Sequence, residues 1–143
     1  MVSILPYSLS EHLAEGTIDF DTNTFHLMLL TAAYTPSQAH TTRASVEAQE
    51  VSAVATNYTT GGAAIVATTS RPGGLGETQV AFGDVVWDGA TGFTARWGAI
   101  VKWAGGASSA DPLVAIIDFG GNVTPAGGDL TAVVTGSLKI RVP

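Results

Sequence analysis

Between Phe93 and Trp103 the chain alternates without a break. Phe93, Ala95, Trp97, Ala99, Val101 and Trp103 share one parity, and Thr94, Arg96, Gly98, Ile100 and Lys102 the other. Side chains of a strand point to opposite faces with a period of two, so this pattern predicts a long strand with one apolar face. The last segment repeats it. Leu130, Ala132, Val134, Gly136, Leu138, Ile140 and Val142 alternate with Thr131, Val133, Thr135, Ser137, Lys139 and Arg141. Both segments favour an antiparallel sheet with one face turned to solvent and place Trp97, Val101, Leu138 and Ile140 in a core, which Leu113 and Ile117 of the Leu113–Phe119 run are expected to join.

Further strands follow from apolar runs between turn residues. Phe25 to Thr31 is apolar on both parities through Leu27-Met28-Leu29-Leu30, which predicts a strand covered on both sides. Ala63 to Thr69, Val80 to Trp87 and Leu113 to Phe119 complete the set. Arg71-Pro72-Gly73-Gly74 and Asp88-Gly89 read as turns, and Gly105–Asp111 and Gly120–Asp129 as loops. Helix is confined to two short pieces. Ser8 and Glu11 have capping-box spacing ahead of a piece ending at Gly16, and Thr42 or Ser45 opens another through Gln49. Six or so short strands with Gly/Pro/Asp loops predict an all-β chain: one antiparallel β-sandwich or jelly-roll-like domain over 1–143, with residues 1–6 as an N-terminal arm.

Composition narrows the function classes. The 143 residues contain no cysteine, which excludes disulfides and thiolate metal sites and suits assembly in a reducing cytosol. Only 13% of residues are charged, the formal net charge is −6, and the sequence pI is about 4.7. The six basic residues, Arg43, Arg71, Arg96, Lys102, Lys139 and Arg141, form no run, so a nucleic-acid partner is not expected. Mean hydropathy is +0.29, and a chain this poor in charge is expected to leave apolar area for a partner. Met1 to Pro6 lacks the features of a signal peptide, and no window has the length of a membrane helix, so no membrane partner is expected either.

Chemical motifs are sparse. His12, His26 and His40 fall in different segments without metal-ligand spacing. Asp19, Asp21 and Asn23 start like a calcium loop, but Thr24 and Leu30 stand where the glycine and the bidentate glutamate belong, so turn residues are the expectation. There is no G-x-S-x-G elbow, and nothing in the spacing of Asp84, Asp88 and Asp118 pairs two acids across a cleft. Gly73-Gly74-Leu75-Gly76 neither follows a strand nor opens a helix, so it makes no phosphate cradle. No catalytic, metal or cofactor site is expected. Trp97 and Trp103 are assigned to packing, whereas Trp87 and Tyr58 are the candidates for an exposed aromatic surface that could hold a carbohydrate.

Four segments together resemble a family of small structural proteins of tailed bacteriophages. They are Asp19 to Thr31 followed by Tyr34-Thr35-Pro36, Asn57 to Gly62, Thr94 to Val101, and Pro112 to Gly120. The resemblance spans most of the chain and implies a virion component without enzymatic activity: a capsid decoration or cement protein on the head surface, made in the host cytoplasm. It implies the phage major capsid protein as partner and a homo-oligomer, with a trimer favoured at a three-fold position. A tail- or fibre-associated protein, including a carbohydrate-binding module, is the alternative. Val2, Ile4 and Leu5 are the residues expected to contact a neighbouring subunit or the capsid floor.

Overall fold

In the computed structural model residues 2–72 and 76–141 are described. Ten strands, β1 (Val2–Ile4), β2 (Phe25–Leu30), β3 (Ala63–Ile65), β4 (Ala67–Ser70), β5 (Glu77–Phe82), β6 (Val85–Trp87), β7 (Ala95–Lys102), β8 (Leu113–Val123), β9 (Leu130–Ala132) and β10 (Ser137–Arg141), form three antiparallel sheets. The largest has the order β1-β8-β7-β2-β3; β10-β5-β4 and β6-β9 are the smaller two. The chain is all-β and sandwich-like, with one short helix, α1 (Leu9–Ala14), and isolated 3-10 turns.

The large sheet is covered on both faces. One face sends Leu27, Leu29, Ile100, Val114 and Ile117 into a core shared with Val80 of β5, Val85 and Trp87 of β6, and Ala132 of β9. That is the sandwich core. The opposite face sends Met28, Leu30, Ala99, Val101, Leu113 and Ile116 against Tyr34 and Val46, which lie on the long connection after β2. Each fully buried aliphatic side chain contributes about 1.5–3 kcal/mol, so neither face could stay wet cheaply. The expectation of one solvent-facing sheet face is therefore corrected: an irregular segment, invisible to strand periodicity, occupies it.

Covering both faces also breaks the parity of the opening pattern. Phe93 and Ala95 join the sandwich core, whereas Ala99 and Val101 join the second core, with Trp97 and Trp103 half-buried against it. The pairing of β7 with β8 shifts between Ala95 and Trp97 and again between Ile100 and Val101. At the second shift Val114 is the extra residue, and Val114 and Ala115 both face the sandwich core as a bulge allows. Arg96 is not on an open face. Its guanidinium pairs with Asp118 and lies 4.6 Å over the Trp97 ring.

Several boundaries move for local reasons. The expected final strand divides into β9 and β10, which belong to different sheets, and Gly136 between them has φ +90°. Leu138 and Ile140 are consequently half-buried, against the sandwich core. β3 and β4 are separate strands around the exposed Val66, and β5 and β6 likewise divide the expected Val80–Trp87 strand. β8 continues through Gly120–Val123, part of what reads as a loop in the sequence. Ser8 opens α1 with helical backbone angles and no side-chain cap, so the capping box does not form, while Gly16 ends it at φ +70°. The second helical piece is two 3-10 turns, Arg43–Ser45 and Glu47–Gln49. Asp19, Asp21 and Asn23 do form an Asx turn: Asn23 Oδ1 accepts from Asp19 N at 2.8 Å and Asp19 Oδ1 from Asp21 N at 2.9 Å. Gly73, Gly74 and Val142 lie outside the described residues.

Candidate functional site

Two regions concentrate what the chain could use. The first is a polar and aromatic seam where loops pack along β2 and the end of β7. β3 pairs with β2 only as far as Leu27, so the remaining β2 edge needs other partners. Tyr58 Oη accepts from Leu29 N at 3.1 Å, Leu29 O accepts from Val51 N at 3.0 Å, and Leu30 bridges to Glu50. Glu50 fastens the turn that delivers these groups. Its Oε1 accepts from Tyr58 Oη at 2.6 Å and from Gly61 N at 2.7 Å. Burial pushes the Glu50 carboxyl above its ordinary value, partly opposed by these two donors and by Arg43. Burial and the adjacent carboxylate push the Tyr58 phenol well above its ordinary range.

Gly61 and Gly62 make the approach possible. A Cβ on Gly62, at φ +75°, would stand 2.0 Å from Leu27 O, and one on Gly61, at φ +90°, 2.4 Å from the Trp103 ring. The Trp103 ring in turn stacks on His26 at 4.2 Å with the planes 1° apart, and His26 Nδ1 lies 3.0 Å from Gly61 O. Arg43 sits 4.7 Å over the same indole and binds the fully buried Asp111 at 2.7 Å. Asp111 Oδ1 also accepts from Ala104 N at 2.9 Å. Each of these acids is taken up by donors of the chain itself. The seam is built to hold loops onto the sheet rather than to present a free base or nucleophile.

The second region is the N-terminal edge. β1 pairs with β8 as Val2 to Asp118, Ser3 to Ile117 and Ile4 to Ile116, so the expected arm lies as an edge strand on its own domain. Half-buried Ile4 packs toward the second core and half-buried Leu5 toward the sandwich core. The Pro36–Ala39 loop closes over the strand's end, with Gln38 Nε2 donating to Leu5 O at 3.2 Å and Tyr7 N to Gln38 O at 2.9 Å. Between strand and loop runs an open cleft of about 640 Å³, lined by Ser3, Ile4, Leu5 and Tyr7 on one side and Pro36 to Ala39 on the other. Tyr7 stands at this cleft with 70% of its surface exposed. Tyr7 and Gln38 carried no signal in the sequence, because neither belongs to a motif and the two meet only through the fold.

The remaining sequence candidates fall elsewhere. Trp87 and Tyr58, expected at the surface, are 5% and 3% exposed and lie 6.2 Å apart within the sandwich core, so they form no stacking platform. His12 is on α1, His26 in the stack above, and His40 Nδ1 is 2.7 Å from Tyr34 Oη. Burial raises the Tyr34 phenol to about 12. Asp118 is held below the usual carboxylate range by the Arg96 guanidinium and the Gly120 N–H. No group of acids, histidines and cysteines suited to a metal occurs among the described residues, and no described helix is long and apolar enough to cross a membrane. Compared with protein-family models, curated proteins and solved structures, the chain matches none.

Proposed function

We propose that this chain is a structural component of a tailed-phage virion: a decoration or cement protein that binds the major capsid protein on the head surface, bridges neighbouring subunits, and meets copies of itself. In this reading it is not an enzyme and needs no cofactor. The observation that carries the proposal is the distribution of apolar surface. Tyr7, Val54, Val66, Val86 and Val133 are all large, uncharged and at least 46% exposed, on a framework whose acids are mostly engaged. Exposed apolar groups on a low-charge shell suit partners of the same kind, and repetition over a shell turns small contacts into a strong attachment.

The four segments of the resemblance support it in a second way. They supply β2 with its Asx turn, the Tyr58–Gly62 latch, β7 and β8. What they hold in common is thus a scaffold, leaving the function to outer surfaces, as in proteins that act by contact. The carbohydrate-binding alternative has lost both of its aromatic candidates to the core.

The test mixes purified protein with undecorated heads and follows co-sedimentation and head stability on heating. Saturable binding that raises the heat stability of the heads is expected, and removal of Met1–Leu5 is expected to weaken it at least tenfold. Intact protein that fails to bind heads overturns the cement role; binding to isolated tails instead would favour the alternative. Full binding by the shortened chain removes Val2, Ile4 and Leu5 from the contact.

A further inference from the structure

The cleft between the end of β1 and the Pro36–Ala39 loop has walls that are tied together before any ligand arrives. Gln38 Nε2 donates across it to Leu5 O at 3.2 Å, and Tyr7 N donates to Gln38 O at 2.9 Å. Tyr7 O accepts from Ser10 Oγ at 3.3 Å, so the Tyr7 backbone is held on both sides while its side chain stays largely exposed. Every other aromatic residue of the chain is buried or half-buried. Hydrogen-bonding capacity lines the same space. Gln38 keeps Oε1 and one amide hydrogen, because its bond to Leu5 O uses only the other hydrogen. Ser37 Oγ accepts from Ala39 N at 3.2 Å and keeps its own hydrogen to donate. Ser3 adds a second hydroxyl on the β1 side. No described residue of the lining is charged; Lys139 lines a separate cavity that shares only Ser3 and Leu5 with this one.

We propose that this cleft binds a neutral sugar, a single hexopyranose or the terminal unit of a glycan, with one pyranose face on the Tyr7 ring and the hydroxyls on Gln38, Ser37 and Ser3. The ligand class follows from the lining. A pyranose presents C–H groups on its faces and, around its rim, hydroxyls that both donate and accept. A phenol ring beside a carboxamide and two hydroxyls meets both needs. An anionic ligand finds no cation in that lining and a chain of formal charge −6 around it. A wholly apolar ligand finds only Ile4 and Leu5, which are half-buried against the two cores, and the rims of Pro36 and Ala39. The volume of about 640 Å³ falls among those of small-molecule sites, about 300–1,000 Å³. Tyr7 thus does what Trp87 and Tyr58, enclosed in the core, cannot. This activity is additional to the virion role and does not depend on it.

One aromatic contact and a few hydrogen bonds in an open cleft give weak binding, with an expected dissociation constant of about 1–10 mM. Saturation-transfer difference NMR on the full chain reads it, with the methyl glycosides of glucose, galactose, mannose and N-acetylglucosamine each titrated to about 50 mM. Saturable binding of at least one of them is expected, with transfer strongest at the C–H protons of one pyranose face. Tyr7→Ala should weaken it at least about tenfold with the circular dichroism spectrum unchanged, since the side chain supports no packing. Tyr7→Phe keeps the ring and should stay within about threefold of wild type. No saturation with any of the four sugars, binding indifferent to Tyr7→Ala, or tighter binding of methyl glucuronide overturns the proposal. Head binding measured on the same samples separates the two readings. Heads bound by a chain that takes no sugar leave the cement role standing, and sugar bound by a chain that ignores heads leaves only this site standing.

Discussion

Tyr58→Phe removes one oxygen from a core position and leaves the ring in place, so its cost isolates the latch. Two groups lose a partner. Leu29 N, near the end of β2, has Tyr58 Oη as its acceptor at 3.1 Å, and Glu50 Oε1 has Tyr58 Oη as one of two donors. A buried N–H left unsatisfied costs about 1–3 kcal/mol, and a hydrogen bond to a charged group contributes about 1.5–3 kcal/mol. Because Glu50 is only partly buried, water recovers part of the second amount, and a total loss of about 2–4 kcal/mol is expected. The loss should also depend on pH. Glu50 has a raised carboxyl value in the folded chain, so folding favours its neutral form. Its contribution to stability is therefore greatest below the ordinary carboxyl value of 4.5 and declines as pH rises through the raised one. Removing the phenol takes a donor from the charged form, which raises that value further and enlarges the loss above it. Asp19 and Asp118 act in a separate window, since their lowered values put their losses below 3.8 as pH falls. Urea melts of wild type and Tyr58→Phe at pH 4.5 and pH 7.5 read both effects, with Glu50→Gln/Tyr58→Phe closing the double-mutant cycle. A loss below about 0.5 kcal/mol, or one larger at pH 4.5 than at 7.5, would refute the latch.

Gly62→Ala should prevent folding or cost more than about 3 kcal/mol, because its Cβ would stand 2.0 Å from a backbone oxygen of β2 that cannot rotate away; the adjacent Thr60→Ala, at an exposed position, should stay within about 0.5 kcal/mol in the same melts. Asp111→Ala takes the buried carboxylate from Arg43, which keeps Glu47 and Gly106 O, and leaves Ala104 N without its acceptor, for a loss of about 2–4 kcal/mol by denaturant titration. Asp111→Ala within about 1 kcal/mol of wild type would mean that the other contacts of Arg43, with Trp103, Glu47 and Gly106 O, hold the loop without the buried carboxylate.

The sequence by itself determined the class of this chain. Period-two runs of Val, Ile, Trp and Phe can bury their apolar parity only as strands, and glycine at position 16 marks where the backbone turns into positive φ, whereas Gly136, read as part of one final strand, divides it. The doubly apolar Leu27–Leu30 run correctly foretold a strand covered on both sides. What periodicity could not fix was which surface does the covering. Trp87 and Tyr58 read as surface aromatics because each stands beside turn residues, yet β6 and the 51–62 turn fold their rings onto the same core as Leu29. Trp97 changes sides relative to Ala95 because of register shifts against β8, a strand that follows in the chain, and no local pattern in 93–103 encodes its partner's spacing. The seam had the same obscurity: Asp111 meets Arg43, Glu50 meets Tyr58 and Gly61, and His26 meets Trp103 only once β2, β7 and their loops are assembled. Strand formation is a local preference reinforced by solvent, and the sequence carries it openly. Pairing between distant residues is decided by the competition of all surfaces for burial, and only the folded chain resolves that competition.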